Sequence, residues 1–187
     1  KFSWKNVQSS PAVFNPEKLL WINAEYIKTS LPSQVAQALV PLLEQAGLHE
    51  QVKAVSPEWL AQLVVLVKER AKTLVEMVEW VRPYFGESVV LEEEAAKKFL
   101  TPAIAPVLGK LIARFESLPA FSKQVWEESF KKFVEEEGIK MGQIAQPVRV
   151  ALTGRTASPG LFEVMEVLGR DRTLLRLRQG LERAMAT

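Results

Sequence analysis

The chain of 187 residues contains no cysteine, which excludes disulfides, cysteine–zinc sites and thiol nucleophiles and fits a reducing compartment. It has one histidine, His49. Without a second histidine or a cysteine that residue cannot anchor a usual zinc site, and no serine or aspartate is arranged around it for nucleophilic catalysis. No run of about 18 apolar residues occurs, and the opening KFSWKNVQSS is not a basic-then-apolar leader. Neither a membrane span nor secretion is supported, and a cytoplasmic protein is the expectation. Internal repeats, low-complexity tracts and alternating strand patterns are missing as well.

What is present reads as a folded domain. The sequence is 48% hydrophobic and 25% charged, the balance of a globular chain that can bury a core as one larger domain or two small ones. Its net charge of +2 is unevenly distributed: residues 1–75 carry 8 basic and 6 acidic side chains, 76–137 carry 8 and 12, and 138–187 carry 8 and 4. The positive field belongs to the last segment. For a nucleic-acid partner this places phosphate attraction at one end and repulsion in the middle, although an ordinary solvated surface explains the same numbers.

The periodicity is helical throughout. Asn15-Pro16 is a cap and first-turn pair opening a helix to about Lys28. A second helix is expected from Pro32 to Ala46, with a kink or break at Pro41 and a stop at Gly47. Ser56-Pro57-Glu58 opens a third that reaches about Arg70, and Thr73 with Glu76 fits a capping box opening a fourth to Tyr84. Gly86-Glu87-Ser88 then divides the chain. Beyond it, helices are expected over Val89–Leu100, from Thr101-Pro102 to Glu116, and from Ser122 to Glu137, where Gly138 ends the run. The triple glutamate Glu92-Glu93-Glu94 points in different directions on a helix and is read as a solvated face. Gly160 to Leu168 is a short helix stopped by Gly169, and Arg170 to Ala184 is the last, with Arg172, Arg176 and Arg183 expected outward.

The most informative stretch lies between residues 142 and 162. Pro147 and Pro159 each suit a first helical turn, Gly154 suits a left-handed stop, and Ser158 can cap the helix after it. The pattern predicts two helix starts joined by a tight corner. Arg149 and Arg155 sit at that corner, beside a helix N-terminus whose unpaired N–H groups favour an anionic or acceptor-rich ligand. Leu161 and Phe162 offer apolar surface on which a splayed base can rest.

The run AQPVRVALTGRTASPGLFEVMEVLGRDR resembles the signature of the C-terminal anticodon-binding region of bacterial glutamyl-tRNA synthetase, a class I aminoacyl-tRNA synthetase. SPAVFNPEKLLWINAEYI is similar to the segment that joins that enzyme's stem-contact region to its anticodon-binding helices, and KERAKTLVEM sits between them at about the family's distance. The likeness covers essentially the whole chain. Neither catalytic signature of the class, HIGH-like or KMSKS-like, occurs. The resemblance therefore implies the RNA-reading part of an enzyme without the part that does chemistry.

It implies an all-α fold of two small packed helical bundles, a helical cage. Residues 1–28 would be the linker and helix from the stem-contact region, 29–90 the first anticodon-binding subdomain and 91–187 the second. The partner implied is the anticodon loop of glutamate tRNA, with neither DNA nor membrane involved and the chain a monomer. No cofactor is expected in this segment, while ATP with magnesium is implied for the catalytic domain of the parent ligase. By resemblance, Arg149 and the corner Ser158, Pro159, Gly160, Leu161 and Phe162 would contact the first two anticodon bases, with Arg155 beside them. Arg70 would read the third, where cytosine for glutamate must be told from guanine in one glutamine anticodon, and Lys131 would touch the loop. Ser158 stands where some relatives of that family have threonine. Two other readings stay open: a helical protein-interaction scaffold without an RNA role, and a relaxed module that accepts both glutamate and glutamine tRNAs. Trp4, Trp21 and Tyr26 are expected to pack against a neighbouring domain rather than to stack on RNA.

Overall fold

Small polar residues set four of the helix starts. A computed structural model of the protein describes residues 15–186; Trp4 and the run Gln8-Ser9-Ser10-Pro11, whose composition reads as a connection, lie outside the described residues. Asn15 accepts a hydrogen bond from the Lys18 N–H at 3.1 Å and opens α1 (Pro16–Thr29). Ser56 does the same for the Trp59 N–H at 3.1 Å and opens α4 (Pro57–Val67), after α2 (Pro32–Gln45) and a short α3 (His49–Lys53). Thr73 accepts from the Glu76 N–H at 3.0 Å and starts α5 (Leu74–Val81), which tightens into a 3₁₀ turn at Arg82–Tyr84. Ser122 caps α8 (Lys123–Glu136). Each such acceptor satisfies an N–H that the first helical turn leaves without a partner.

The remaining elements are α6 (Glu93–Phe99), α7 (Ala105–Glu116), α9 (Met141–Thr153) and α10 (Leu161–Met185), the last bent at Gly169 with φ 75° and ψ 174°. Among the described residues there are no strands, and the all-helical expectation holds.

Several boundaries differ from the sequence reading. Pro41 does not break α2, and Pro147 is not a helix start, because it is the seventh residue of α9. A proline inside a helix orphans the carbonyl four residues back. Here those carbonyls belong to Gln37 and Gln143, both exposed, where water can serve them. The Glu76 carboxylate accepts from the Lys72 N–H at 2.8 Å, one residue before the position a capping box uses. The helix expected from Val89 begins only at Glu93; Val89 to Leu91 run without helical bonding beside the end of α9, and the Glu92 N–H donates to the Gly154 carbonyl at 2.8 Å. The helix expected from Thr101-Pro102 likewise begins at Ala105 after a turn. The short α3, holding His49 against Glu44 at 3.2 Å and Glu50 at 3.8 Å, has no counterpart in the sequence reading.

One contiguous apolar core runs from Ile27 in α1 to Ala184 in α10. Its aromatic centre is Trp126, edge-on to Phe115 at 4.5 Å and to Phe121 at 5.1 Å. The aromatic stripe of α8 is therefore core. Trp59 of α4 crosses to α10, donating its indole N–H to the Val167 carbonyl at 2.9 Å.

Arg176 overturns the outward placement expected for it. It is fully buried, at 0% exposure. Its guanidinium donates to the Leu152 carbonyl at 2.6 Å, the Gly86 carbonyl at 3.0 Å and the Glu87 carbonyl at 3.2 Å. A buried charge is tolerated because three backbone acceptors replace its water.

Gly154 supplies a test of how tightly this region is packed. It ends α9 in the left-handed conformation, φ 79°, and a Cβ there would collide with the Val90 carbonyl oxygen. Gly47 has a similar φ of 83° but open space around it. Gly47→Ala should cost about 1–2 kcal/mol, the left-handed penalty alone, whereas Gly154→Ala should cost clearly more, because backbone must move. Urea midpoints of the two variants check this; equal losses would mean that the Val89–Leu91 segment yields freely.

Candidate functional site

The corner between α9 and α10 is folded around one arginine. Arg149, half-buried on α9, donates through Nη1 to the Ser158 hydroxyl, to the Pro159 carbonyl at 2.8 Å and to the Ser158 carbonyl at 3.3 Å. Ser158 is itself buried. It does not cap the following helix: Gly160 occupies the N-cap position without a side-chain cap, and the Ser158 hydroxyl turns to Arg149 and the Pro159 carbonyl instead. Thr153 closes the other side, donating to the Arg149 carbonyl at 2.8 Å.

Nor is the N-terminus of α10 open to a ligand. The Glu163 carboxylate folds back over Gly160, filling the space a Cβ there would need, and Lys123 pairs with it at 2.7 Å. The hydrogen bond from Lys123 holds the Glu163 carboxyl below the usual carboxylate range. An acidic side chain at the third position of a helix satisfies the dipole from within.

The arginines themselves converge. Arg70, in the turn behind α4, has its guanidinium carbon 5.6 Å from the centre of the Trp80 ring, and Arg155 lies 5.8 Å from the same ring. Burial, and after it the charge of Arg70, lowers the affinity of Arg149 for its proton. Tyr84, one turn beyond Trp80 and 2% exposed, is raised to about 12 by burial against the opposing fields of Arg176, Arg155, Arg70 and Arg149. Among the described residues, no carboxylate lies within ion-pair distance of Arg70 or Arg149, and Arg155 has only Glu92 at 3.9 Å.

Arg70 and the corner face each other across a cleft of about 670 Å³. Gln62, Val65, Leu66, Glu69 and Arg70 form one wall, and Pro159, Gly160, Glu163, Glu166 and Val167 the other. Three carboxylates on its lining oppose a phosphate inside, although Glu69 and Glu163 are balanced by Lys28 at 3.4 Å and by Lys123. A neutral group with hydrogen-bonding edges suits this mixture of one guanidinium and several acceptors.

The structure thus brings together Arg70, Arg149, Arg155, Ser158, Pro159 and Gly160. It does not provide the apolar platform expected from Leu161 and Phe162: Leu161 is buried in the core, and Phe162 is half-buried with its ring edge-on to Phe130 at 5.5 Å. Lys131 is exposed on α8, paired with Glu127 at 2.7 Å, and does not line the cleft. Sequence reasoning misses Trp80 and Tyr84. Both sit in an apolar stripe that reads as ordinary core, and only the fold places them beneath arginines from distant segments.

Comparison with known proteins bears on this arrangement. The family model described as "Anticodon binding domain" matches residues 34–181. A glutamate–tRNA ligase of Geotalea uraniireducens is 47% identical over 97% of this chain and 38% of its own length. One from Syntrophobacter fumaroxidans is 46% identical over 96% of the chain, again 38% of its own length. Among solved structures, a glutamate tRNA ligase from Elizabethkingia meningosepticum in complex with its amino acid superimposes with a TM-score of 0.81 at 26% identity, over 97% of this chain and 35% of that one. The chain spans about 38% of the length of the curated relatives it matches.

Tyr84 makes the burial of the corner measurable. Tyr26 is the only other tyrosine, so a Tyr26→Phe chain reports Tyr84 alone through tyrosinate absorbance. The expected midpoint is about 12, against an ordinary 10.0. Because the folded value is raised, the stability contributed by the neutral phenol is complete below pH 10 and is lost as pH climbs through about 12. A midpoint near 10 in the folded chain would show Tyr84 open to water and the corner looser than described.

Proposed function

We propose that this chain, which belongs to the anticodon-binding domain family, reads the anticodon of glutamate tRNA for a cytoplasmic glutamate–tRNA ligase. The observation that supports this best is the convergence of Arg70, Arg149 and Arg155 at one corner where, among the described residues, the one carboxylate within ion-pair distance of any of the three is Glu92, 3.9 Å from Arg155. Anticodon bases are unstacked in their loop, so their pairing edges are open to side chains. Arg149 works mainly by holding the Ser158–Gly160 corner in shape, which lets backbone and hydroxyl groups there meet the first two bases. Arg70, on the opposite wall of the cleft, donates to the acceptors of a cytosine at the third base. The edge of guanine presents donors at the equivalent positions, and a guanidinium has no acceptor with which to meet them.

In this reading the ATP- and magnesium-dependent ligation of glutamate belongs to the remaining length of such an enzyme, and this segment contributes specificity. A wrong anticodon leaves buried polar groups without partners, which weakens binding and misplaces the distant acceptor end. Among the described residues, α1 exposes large apolar side chains, with Leu19, Leu20, Trp21 at 63% and Tyr26 at 69% exposure. Those side chains suit packing against another part of the enzyme better than RNA contact. No helix among the described residues is long and apolar enough to cross a membrane.

The test is binding of the chain to an anticodon stem-loop of glutamate tRNA over a salt series. Affinity should fall with salt by roughly 0.7 log units per log unit for each phosphate neutralised, and Arg149→Ala and Arg155→Ala should both weaken it. Arg70→Gln should reduce the preference for cytosine over guanine at the third base by about 1–3 kcal/mol. Equal binding to both loops by the unmodified chain would favour the relaxed module. Salt-independent binding, or none, would favour a protein scaffold.

A further inference from the structure

Arg70 raises a question that its own surroundings answer. A guanidinium that distinguishes bases must be held in one orientation, yet an arginine side chain free to rotate loses rotamer entropy when fixed. Among the described residues no carboxylate pairs with Arg70. It leaves the turn behind α4, and the group that meets its charge is the ring of Trp80 at 5.6 Å.

Trp80 is well placed for this work. It is half-buried near the end of α5 and packs against the core, so its ring is anchored. The same ring receives Arg155 at 5.8 Å, which arrives from the loop after α9 and is tied to Glu92 at 3.9 Å. A ring that receives two cations attracts both through its quadrupole. It also differs from a carboxylate in an important respect: it attracts the positive charge without supplying an in-plane acceptor, so the N–H groups of Arg70 remain available to a ligand.

We propose that Trp80 is a positioning residue for anticodon reading, its ring orienting the Arg70 guanidinium so that the N–H groups face the cleft. This rests on the reading given above, in which Arg70 meets the third base. Trp80 then contributes to selectivity without touching the base, and its effect passes through Arg70.

The experiment compares the full 187-residue chain with Trp80→Leu, Trp80→Phe, Arg70→Gln and the Trp80→Leu/Arg70→Gln pair. Each is titrated with stem-loops bearing cytosine or guanine at the third anticodon position, after circular dichroism has confirmed helical content. Trp80→Leu should lower the preference for cytosine by about two- to fivefold, the range of a lost cation–π contact at an exposed arginine. Trp80→Phe, which keeps an aromatic face, should retain most of the preference. In the double variant the leucine should add nothing to the loss caused by Arg70→Gln. A purely structural role predicts something else: both loops weakened by the same factor, the ratio untouched, and phenylalanine no better than leucine. That result overturns the proposal, as does an additive loss in the double variant. Should Trp80→Leu not fold, Trp80→Met keeps more of the side-chain volume and is read in the same way. If Arg70→Gln leaves the preference intact, or the unmodified chain has none, it is the third-base reading that fails and the role of Trp80 falls with it.

Discussion

The cleft depends on a cation that never reaches it. Arg176, in the second arm of α10, gathers the carbonyls of Gly86, Glu87 and Leu152, which belong to the segment between α5 and α6 and to the last turn of α9. Burying a guanidinium costs several kcal/mol unless its donors are met, and burial indeed lowers its proton affinity here. Three carbonyls in different directions meet that cost only because the group is a planar fork; a lysine ammonium, a point charge on a flexible stem, could not span them in the same way. The consequence is geometric. The segment that leads out of α5 is fixed against the end of α9, and with it Trp80 and Tyr84 are fixed beneath the arginine corner.

Gly154 tightens the same junction from the other side. Its left-handed conformation turns the chain after α9, and the close approach of the Val90 carbonyl leaves no room for a side chain. The Glu92 N–H then bonds the Gly154 carbonyl at 2.8 Å. Arg155 is the next residue, so its position near Trp80 follows from this turn. Trp59, bonded to the Val167 carbonyl at 2.9 Å, sets the spacing between α4 and α10, whose facing sides line the cleft.

Local chemistry is legible in the sequence where it acts locally. Asn15 and Thr73 read as caps, Ser56 and Ser122 as helix starts, and all four serve as caps, while the glycines at 47, 138, 154 and 169 read as stops and lie in left-handed conformations. Arg149, Arg155 and the Ser158–Gly160 corner come from one stretch, and their joint placement follows from it. The failures share a cause. Pro147 sits well inside α9 because the helix already has a start at Met141 and an exposed carbonyl to leave to water. Ser158 has the sequence of a cap, but an arginine nine residues earlier claims its hydroxyl. Arg176 has the sequence of a surface cation, but carbonyls from two distant segments surround it. In the last two cases a partner outside the local helix overrides the local preference, and no short window of residues reveals it.

The same distinction governs the charge. A net +2 over 187 residues says little about recognition, since the cations that matter are those without nearby carboxylates. Many arginines and lysines here are matched on the surface, where such pairs contribute little to stability: Arg178 with Glu116 at 2.5 Å, Lys110 with Glu137 at 2.6 Å, Lys131 with Glu127. Arg70 and Arg149 are held by an aromatic ring and by backbone carbonyls instead. The Ser158 and Pro159 acceptors take up the Nη1 donors of Arg149 and convert its charge into the shape of a corner. An aromatic partner takes up charge and leaves donors. The two walls of the cleft therefore differ in kind, one fixed in form and the other still able to form hydrogen bonds, and that asymmetry suits a ligand whose edge must be read while its backbone is merely accommodated.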